Sequence, residues 1–199
     1  MEKRLRETGS DRGLTRRTVL AVSALAGTTA VAGCLTGDDD DVPEPITIEA
    51  GQICDNCTMD IVDYPGPVGQ SFYDDPEALL DDAEDRPAQF CSSLCTYAFL
   101  FEHEDDQEPE VVYLTDYSTI DYEIDTGGDE PEISSHVDAD DFGQADDLTL
   151  IVDSEVEGAM GASIIGFSDA DEAAAFESDY GGDSYEHEDV SQDLLMSLM

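Results

Sequence analysis

The chain has 199 residues, of which 50 are acidic and seven are Lys or Arg, giving a net charge of −43. This balance excludes a nucleic-acid partner, because binding a phosphate backbone needs a basic footprint that the composition cannot supply. It also excludes an acidic disordered tail, since apolar residues make up 40% of the sequence and recur in organised runs.

The amino terminus reads as an export signal. Lys3, Arg4, Arg6 and Arg12 precede the pair Arg16-Arg17, and an apolar run from Val19 to Ala32 follows. A basic region, a twin-arginine pair and an apolar core of about 14 residues, too short to span a bilayer, make a segment that is removed rather than folded. The run ends in Ala30-Val31-Ala32-Gly33-Cys34, which resembles a lipobox and makes Cys34 the lipidated first residue of the mature protein. Residues 1-33 are therefore expected to be the signal. Residues 34-45, with an Asp run, Pro43 and Pro45, are expected to be an acidic tether. The protein is then exported and lipid-anchored to the outer face of the cell membrane.

Six of the seven basic residues lie before Cys34, together with Glu2, Glu7 and Asp11, so the mature chain keeps Arg86 against 47 acidic residues. Self-repulsion of that size opposes compaction at ordinary ionic strength, whereas the Debye length falls to roughly 3 Å at 1 M salt. The composition predicts a protein of haloarchaeal type, adapted to molar salt.

The mature body has about 165 residues, enough for one domain or two small ones with a real core. Ile46-Thr47-Ile48 alternates like a strand and leads into Cys54-Asp55-Asn56-Cys57-Thr58-Met59, where two thiols and a thioether sit close together. Soft donors suit a soft ion, and a thioether beside a thiolate points to Cu(I). The same spacing also serves a disulfide or a zinc knuckle. Asp60, Asp63, Pro65 and Gly66 follow too soon for the motif to open a helix, which argues against a thiol-disulfide oxidoreductase.

Asp74-Asp75-Pro76-Glu77 has the N-cap carboxylates and first-turn proline of a helix start, continued by Ala78-Leu79-Leu80. Phe90-Cys91 opens a second cysteine element, Leu94 to Phe101 reads as a helix, and Val111 to Leu114 as a strand. These make a first module over 46-120. Residues 121-146 are expected to be an acidic loop, mobile over its Gly-rich part at 121-135. A second module over 147-190 has strands at Leu148 to Val152 and Ala162 to Phe167. Capping-box spacing at Asp169 to Glu172 then precedes a helix from Ala173 to Ser178, which Gly181-Gly182 ends. Residues 191-199 are left as a C-terminal tail.

The segment Phe72 to Leu80 resembles Phe167 to Ala175: an aromatic closing a strand, a cap, a glutamate, then an apolar helix. Met59 lies upstream of one copy and Met160 upstream of the other. The chain is thus expected to be α+β, with two related strand-and-helix modules whose methionines could face each other. If Cys34 takes the lipid, the remaining cysteines fall as Cys54-x-x-Cys57 and Cys91-x-x-x-Cys95. Two such pairs, one in a turn and one on the first turn of a helix, suit a four-sulfur site of treble-clef type that could hold zinc. Two disulfides are the alternative on an oxidising cell surface, although a bond between residues four apart on a helix is strained.

Several of these motifs together resemble the NosL family, lipoproteins accessory to nitrous oxide reductase. They are Cys54-x-x-Cys57-Thr58-Met59 followed by Ile61, Thr115-Asp116-Tyr117, Val137-Asp138-Ala139, Ala159-Met160-Gly161, Gly166-Phe167, Ala170 to Phe176, and Tyr180-Gly181-Gly182. The family's motif reads Cys-Gly-Met, and Thr58 replaces that glycine. The resemblance implies Cu(I) binding, a chaperone role toward the copper centres of that reductase, and two similar β-β-α-β modules. Carried over, Cys57 and Met59 would hold copper from the first module and Met160 from the second, with His136 a candidate third donor. Cys54, Cys91 and Cys95 could instead complete a thiolate site with Cys57. No enzymatic activity is required. The rival readings are a surface lipoprotein with structural zinc or disulfides, and an organomercurial-lyase-like enzyme using paired cysteines.

Overall fold

The computed structural model describes residues 42–80 and 86–199; the signal, Cys34 and most of the tether lie outside them. Strands β1 (Gly69–Phe72) and β2 (Ala88–Phe90) are followed by helix α1 (Ser93–His103) and strand β3 (Val111–Thr115). They pair antiparallel in the order β2-β1-β3, and β6 (Phe142–Gln144) adds to the free edge of β3. Strands β7 (Thr149–Val152) and β8 (Ile164–Phe167), helix α2 (Ala170–Tyr180) and strand β9 (Asp183–Tyr185) repeat that topology, with the order β8-β7-β9 and every pairing antiparallel. The α+β class and the two β-β-α-β modules expected from the sequence are what the chain adopts.

The modules correspond at a different place from the one that the sequence resemblance suggested. Phe72 closes the first strand of its module and leads to a single 3-10 turn at Pro76–Ala78, whereas Phe167 closes a second strand and leads to α2. The residue equivalent to Phe167 is Phe90. Phe90-Cys91-Ser92 leads to α1 with Ser92 as N-cap, and Phe167-Ser168-Asp169 leads to α2 with Asp169 as N-cap. Nine residues after each strand-end ring comes a helical one, Phe99 or Phe176, and each pair has a centroid separation of 5.2 Å. Met59 precedes the first strand of its module and Met160 lies between two strands of the other, so the methionines do not correspond.

Both faces of the second sheet are covered, which explains the unbroken apolar runs of β7 and β8. Leu150, Val152 and Ile164 face α1 through Leu94 and Tyr97, while Ile151, Ile165 and Phe167 pack with Ala173 and Phe176 of α2. Helix α1 is shared: its Cys95 and Phe99 belong to the first module's core and its Leu94 and Tyr97 to the seam. Gly69 of β1 admits α1 closely, because a Cβ there would collide with the Thr96 hydroxyl. Thr115-Asp116-Tyr117 joins the modules. The Asp116 carboxylate, 4% exposed, accepts from the Ser118 and Ser168 backbone N–H groups at 3.0 and 2.9 Å, and the Tyr117 N–H donates to the Gly166 carbonyl at 2.9 Å.

Three expectations need correction. Ile46–Ile48 is not a strand, because the buried Gln70 amide takes the backbone partners of Ile46, donating to its carbonyl at 2.6 Å and accepting from its N–H at 3.1 Å. The helix expected after Asp75 stops at one 3-10 turn: the Asp75 side chain makes no capping bond, and Gln107 clamps its backbone instead. The 121–135 stretch holds a hairpin, β4 (Ile124–Asp125) against β5 (Glu132–Ile133), anchored by the fully buried Ile133. Among the last residues, helix α3 (Gln192–Ser197) buries Leu195 in the seam core.

Candidate metal centre

The first cysteine pair sits in a knuckle. The Thr58 N–H donates to the Cys54 carbonyl at 2.9 Å, the Cys54 N–H donates to the Met59 carbonyl at 2.8 Å, and Ile53 bridges Asp60 as the loop closes. The turn demands a left-handed residue, and Thr58 takes φ +65° there. The loop is pinned to β2 through Asp55. Its N–H donates to the Gln89 carbonyl at 2.9 Å, and its carboxylate accepts from the Gln89 N–H at 2.7 Å and from both terminal nitrogens of Arg86 at 2.8 and 2.9 Å.

The second pair straddles the start of α1. Cys91 ends the exit from β2, and Cys95 lies in the first helical turn, where its N–H donates to the Ser92 N-cap hydroxyl at 3.0 Å. The helix N-terminus carries partial positive charge that favours a thiolate.

The sulfurs of Cys54, Cys57, Cys91 and Cys95 all lie within 4.8 Å of one another. All four are free thiols, with Cys57 to Cys91 at 3.4 Å and Cys91 to Cys95 at 3.8 Å. A tetrahedral ion with metal–sulfur bonds of about 2.3 Å sets its ligand sulfurs about 3.8 Å apart, so the cluster is of the size that such an ion needs. Three of the four are buried, and Cys57 alone is partly open to solvent. Hydrogen bonds from Cys91 and Cys95 hold Cys54 well below the usual thiol range. The groups that donate to it are pushed upward, both by that bond and by burial. Thiolates packed this closely repel one another, so gathering several of them in one site requires a cation.

The NosL family model matches residues 45–195, which takes in both modules and the whole cysteine centre. The chain belongs to the NosL family. It is 28% identical over 182 residues to the copper-binding lipoprotein NosL of Stutzerimonas stutzeri, covering 89% of this chain and 81% of that one. It also resembles the crystal structure of the copper chaperone NosL from Shewanella denitrificans, with a TM-score of 0.59 and 26% identity over 76% of this chain and 98% of that one. Neither relative is named as an enzyme, in line with the expectation that none is required here.

Within this NosL member, the structure gathers four of the sequence-derived site residues, Cys54, Cys57, Cys91 and Cys95, and distributes the others around them. Met59 is partly buried and packs against the first module's core beside Cys57. Met160 is 42% exposed at the tip of the tight turn that Gly158 and Gly161 close by mutual backbone hydrogen bonds. That turn abuts the segment leading into β1, since a Cβ on Gly158 would collide with the Gly66 carbonyl. His136 lies apart from the four sulfurs, with Nε2 2.9 Å from the Ser134 hydroxyl and its ring edge-on to Tyr117. Cys34 lies outside the described residues. Sequence reasoning missed Asp55 and Arg86. The signal was available, because Asp55 is inside the cysteine motif and Arg86 is the one Lys or Arg after Arg17.

Proposed function

We propose that this chain is an exported Cu(I) chaperone, held to the outer face of the membrane by a lipid on Cys34, that supplies copper for assembly of nitrous oxide reductase. The observation that carries the reading is the gathering of soft sulfur donors with one member, Cys57, partly open to solvent and Met59 directly after it in the motif. The copper-binding and chaperone names of the two relatives support it. Cys57, Met59 and Met160 are the proposed cargo ligands, with His136 a further candidate.

A chaperone must hold copper tightly enough to exclude the free ion and still release it. Thioether and thiolate donors around a low-coordinate Cu(I) allow this by exchange, because an acceptor can add a ligand before the chaperone loses one. An exposed thioether such as Met160 leaves without disturbing a packed core. The density of carboxylates fits a haloarchaeal setting, where molar salt screens the self-repulsion.

A second reading is favoured by one observation: four cysteine sulfurs within 4.8 Å also suit a resident zinc in a treble-clef-like module. Titration of the reduced, anaerobic mature protein separates the two. The chaperone reading expects one Cu(I) per chain, with affinity falling by orders of magnitude in Cys57→Ser and in Met160→Ala. Bound zinc after expression, indifferent to Met160→Ala, together with no Cu(I) uptake, overturns it in favour of the structural site.

A further inference from the structure

Arg86 is the only Lys or Arg of the sequence after Arg17, in a chain with 50 acidic residues. Among the described residues, its guanidinium meets the carboxylate inside the Cys-x-x-Cys loop. The contact is bidentate at 2.8 and 2.9 Å and largely shielded, with the Arg86 and Asp55 side chains 23% and 11% exposed. The Asp55 N–H also donates to the carbonyl of Gln89, two residues before Cys91, and its carboxylate accepts from the Gln89 N–H, so the same carboxylate ties the knuckle bearing Cys54 and Cys57 to the strand leading to Cys91 and Cys95.

We propose that the Asp55–Arg86 pair is a latch that positions the two cysteine pairs on one another and thereby sets how fast the centre lets go of its ion. This rests on the reading of the four sulfurs as a metal centre. Four thiolates around a divalent cation leave a net negative centre, and a second anion, Asp55, sits within the same loop. Arg86 neutralises that carboxylate. Without the guanidinium, Asp55 is a shielded anion in the loop of an anionic centre, and the knuckle relaxes by swinging away from β2, which separates Cys57 from Cys91. The planar fork of Arg matches both carboxylate oxygens at once, which a single ammonium does not, so the pair fixes direction as well as distance. At contact distance the latch also lies within the Debye length of about 3 Å at 1 M salt, so it holds where longer-range attractions are screened. Arg86 and Asp55 are positioning residues, since neither is proposed to touch the ion.

The test uses the full mature chain, loaded separately with Zn2+ alone and Cu(I) alone in molar KCl. Dissociation to an excess of a coloured chelator is followed in wild type, Arg86→Gln, Asp55→Asn and the double variant, alongside the melting midpoint of each metal-free protein. The latch expects ion dissociation at least tenfold faster in each single variant, no further gain in the double, an unchanged number of ions per chain, and only partial restoration by Arg86→Lys. Asp55→Asn keeps an oxygen for the Gln89 N–H, so it stays informative if Arg86→Gln folds poorly. Variants that melt lower but release metal within twofold of wild type overturn the latch and leave the metal centre standing. A wild-type chain that retains neither ion overturns the metal reading and the latch with it.

Discussion

The sulfurs of Cys57 and Cys91 stand 3.4 Å apart although 34 positions separate them in the chain. One comes from a knuckle and the other from a strand exit, so their meeting is a product of the fold rather than of local sequence. The geometry distinguishes how the two candidate ions would use it. Zinc takes four donors in a closed tetrahedral site, whereas Cu(I) is content with fewer soft ones. Cys95→Ser is therefore expected to weaken zinc binding by about a hundredfold or more, while Cu(I) affinity falls by less than about tenfold. Chelator competition with each ion measures both, and equal losses would mean that the ions share all four sulfurs.

Thr58 occupies the left-handed region, φ +65°, where the family motif has glycine. A non-glycine residue there carries about 1–2 kcal/mol of steric cost, and a β-branched one is an outlier. The side chain is exposed. Thr58→Gly is expected to raise the unfolding free energy by about 1 kcal/mol with the ion stoichiometry unchanged, since the Thr58 N–H and Cys54 carbonyl that close the turn are both retained. Denaturant unfolding of the metal-free protein measures it, and a destabilised variant would place an unrecognised contact on the Thr58 hydroxyl.

The matched rings of the two modules allow an internal control. Phe99 packs on Phe90 in the core cluster that includes Cys91 and Cys95, while Phe176 packs on Phe167 in the separate cluster under α2. Phe99→Leu and Phe176→Leu are expected to cost similar stability, about 1–2 kcal/mol each. Only the first should speed metal release, because only it loosens the helix turn that carries Cys95. Equal release rates in the two variants would show that the centre does not depend on that packing.

How much of this was legible in the sequence depended on whether the signal was local. Helices α1 and α2, strands β3, β7 and β8, and the Asp169 cap were readable because their apolar runs and capping residues lie next to one another. The four cysteines were readable as two pairs from spacing, and their convergence is what the fold adds. The duplication is visible in the sequence, but the most similar letters fall on strands that do not correspond. Phe72-Tyr73-Asp74 and Phe167-Ser168-Asp169 look alike as letters, whereas the true equivalence, Phe90-x-Ser92 with Phe99 against Phe167-x-Asp169 with Phe176, is spread over nine residues and includes Cys91 where the second module has Ser168. Ile46–Ile48 could not be read, because what replaces its ladder is a side chain, Gln70, from 24 positions away.

His187 carries the pH dependence that the fold builds in. Its Nδ1 lies 2.8 Å from the Tyr97 hydroxyl, with the Tyr97 ring against it, and the carboxylates of Asp146 and Glu188 face it. Burial lowers its pKa below the usual imidazole value, outweighing the upward pull of those two carboxylates. With the proton on Nε2, the neutral ring accepts from Tyr97 through Nδ1; a charged ring cannot. The sign follows from linkage. As pH falls through the usual histidine range the unfolded chain takes up the proton first, so the folded state loses stability from there down to the lowered native value and gains none above it. Carboxylate protonation in so acidic a chain pulls the other way, so the difference between wild type and His187→Gln isolates the effect. Wild type is expected to lose more stability than the variant between neutral pH and pH about 5, measured by denaturant unfolding in molar salt. Parallel pH profiles for the two proteins would mean that His187 titrates alike folded and unfolded.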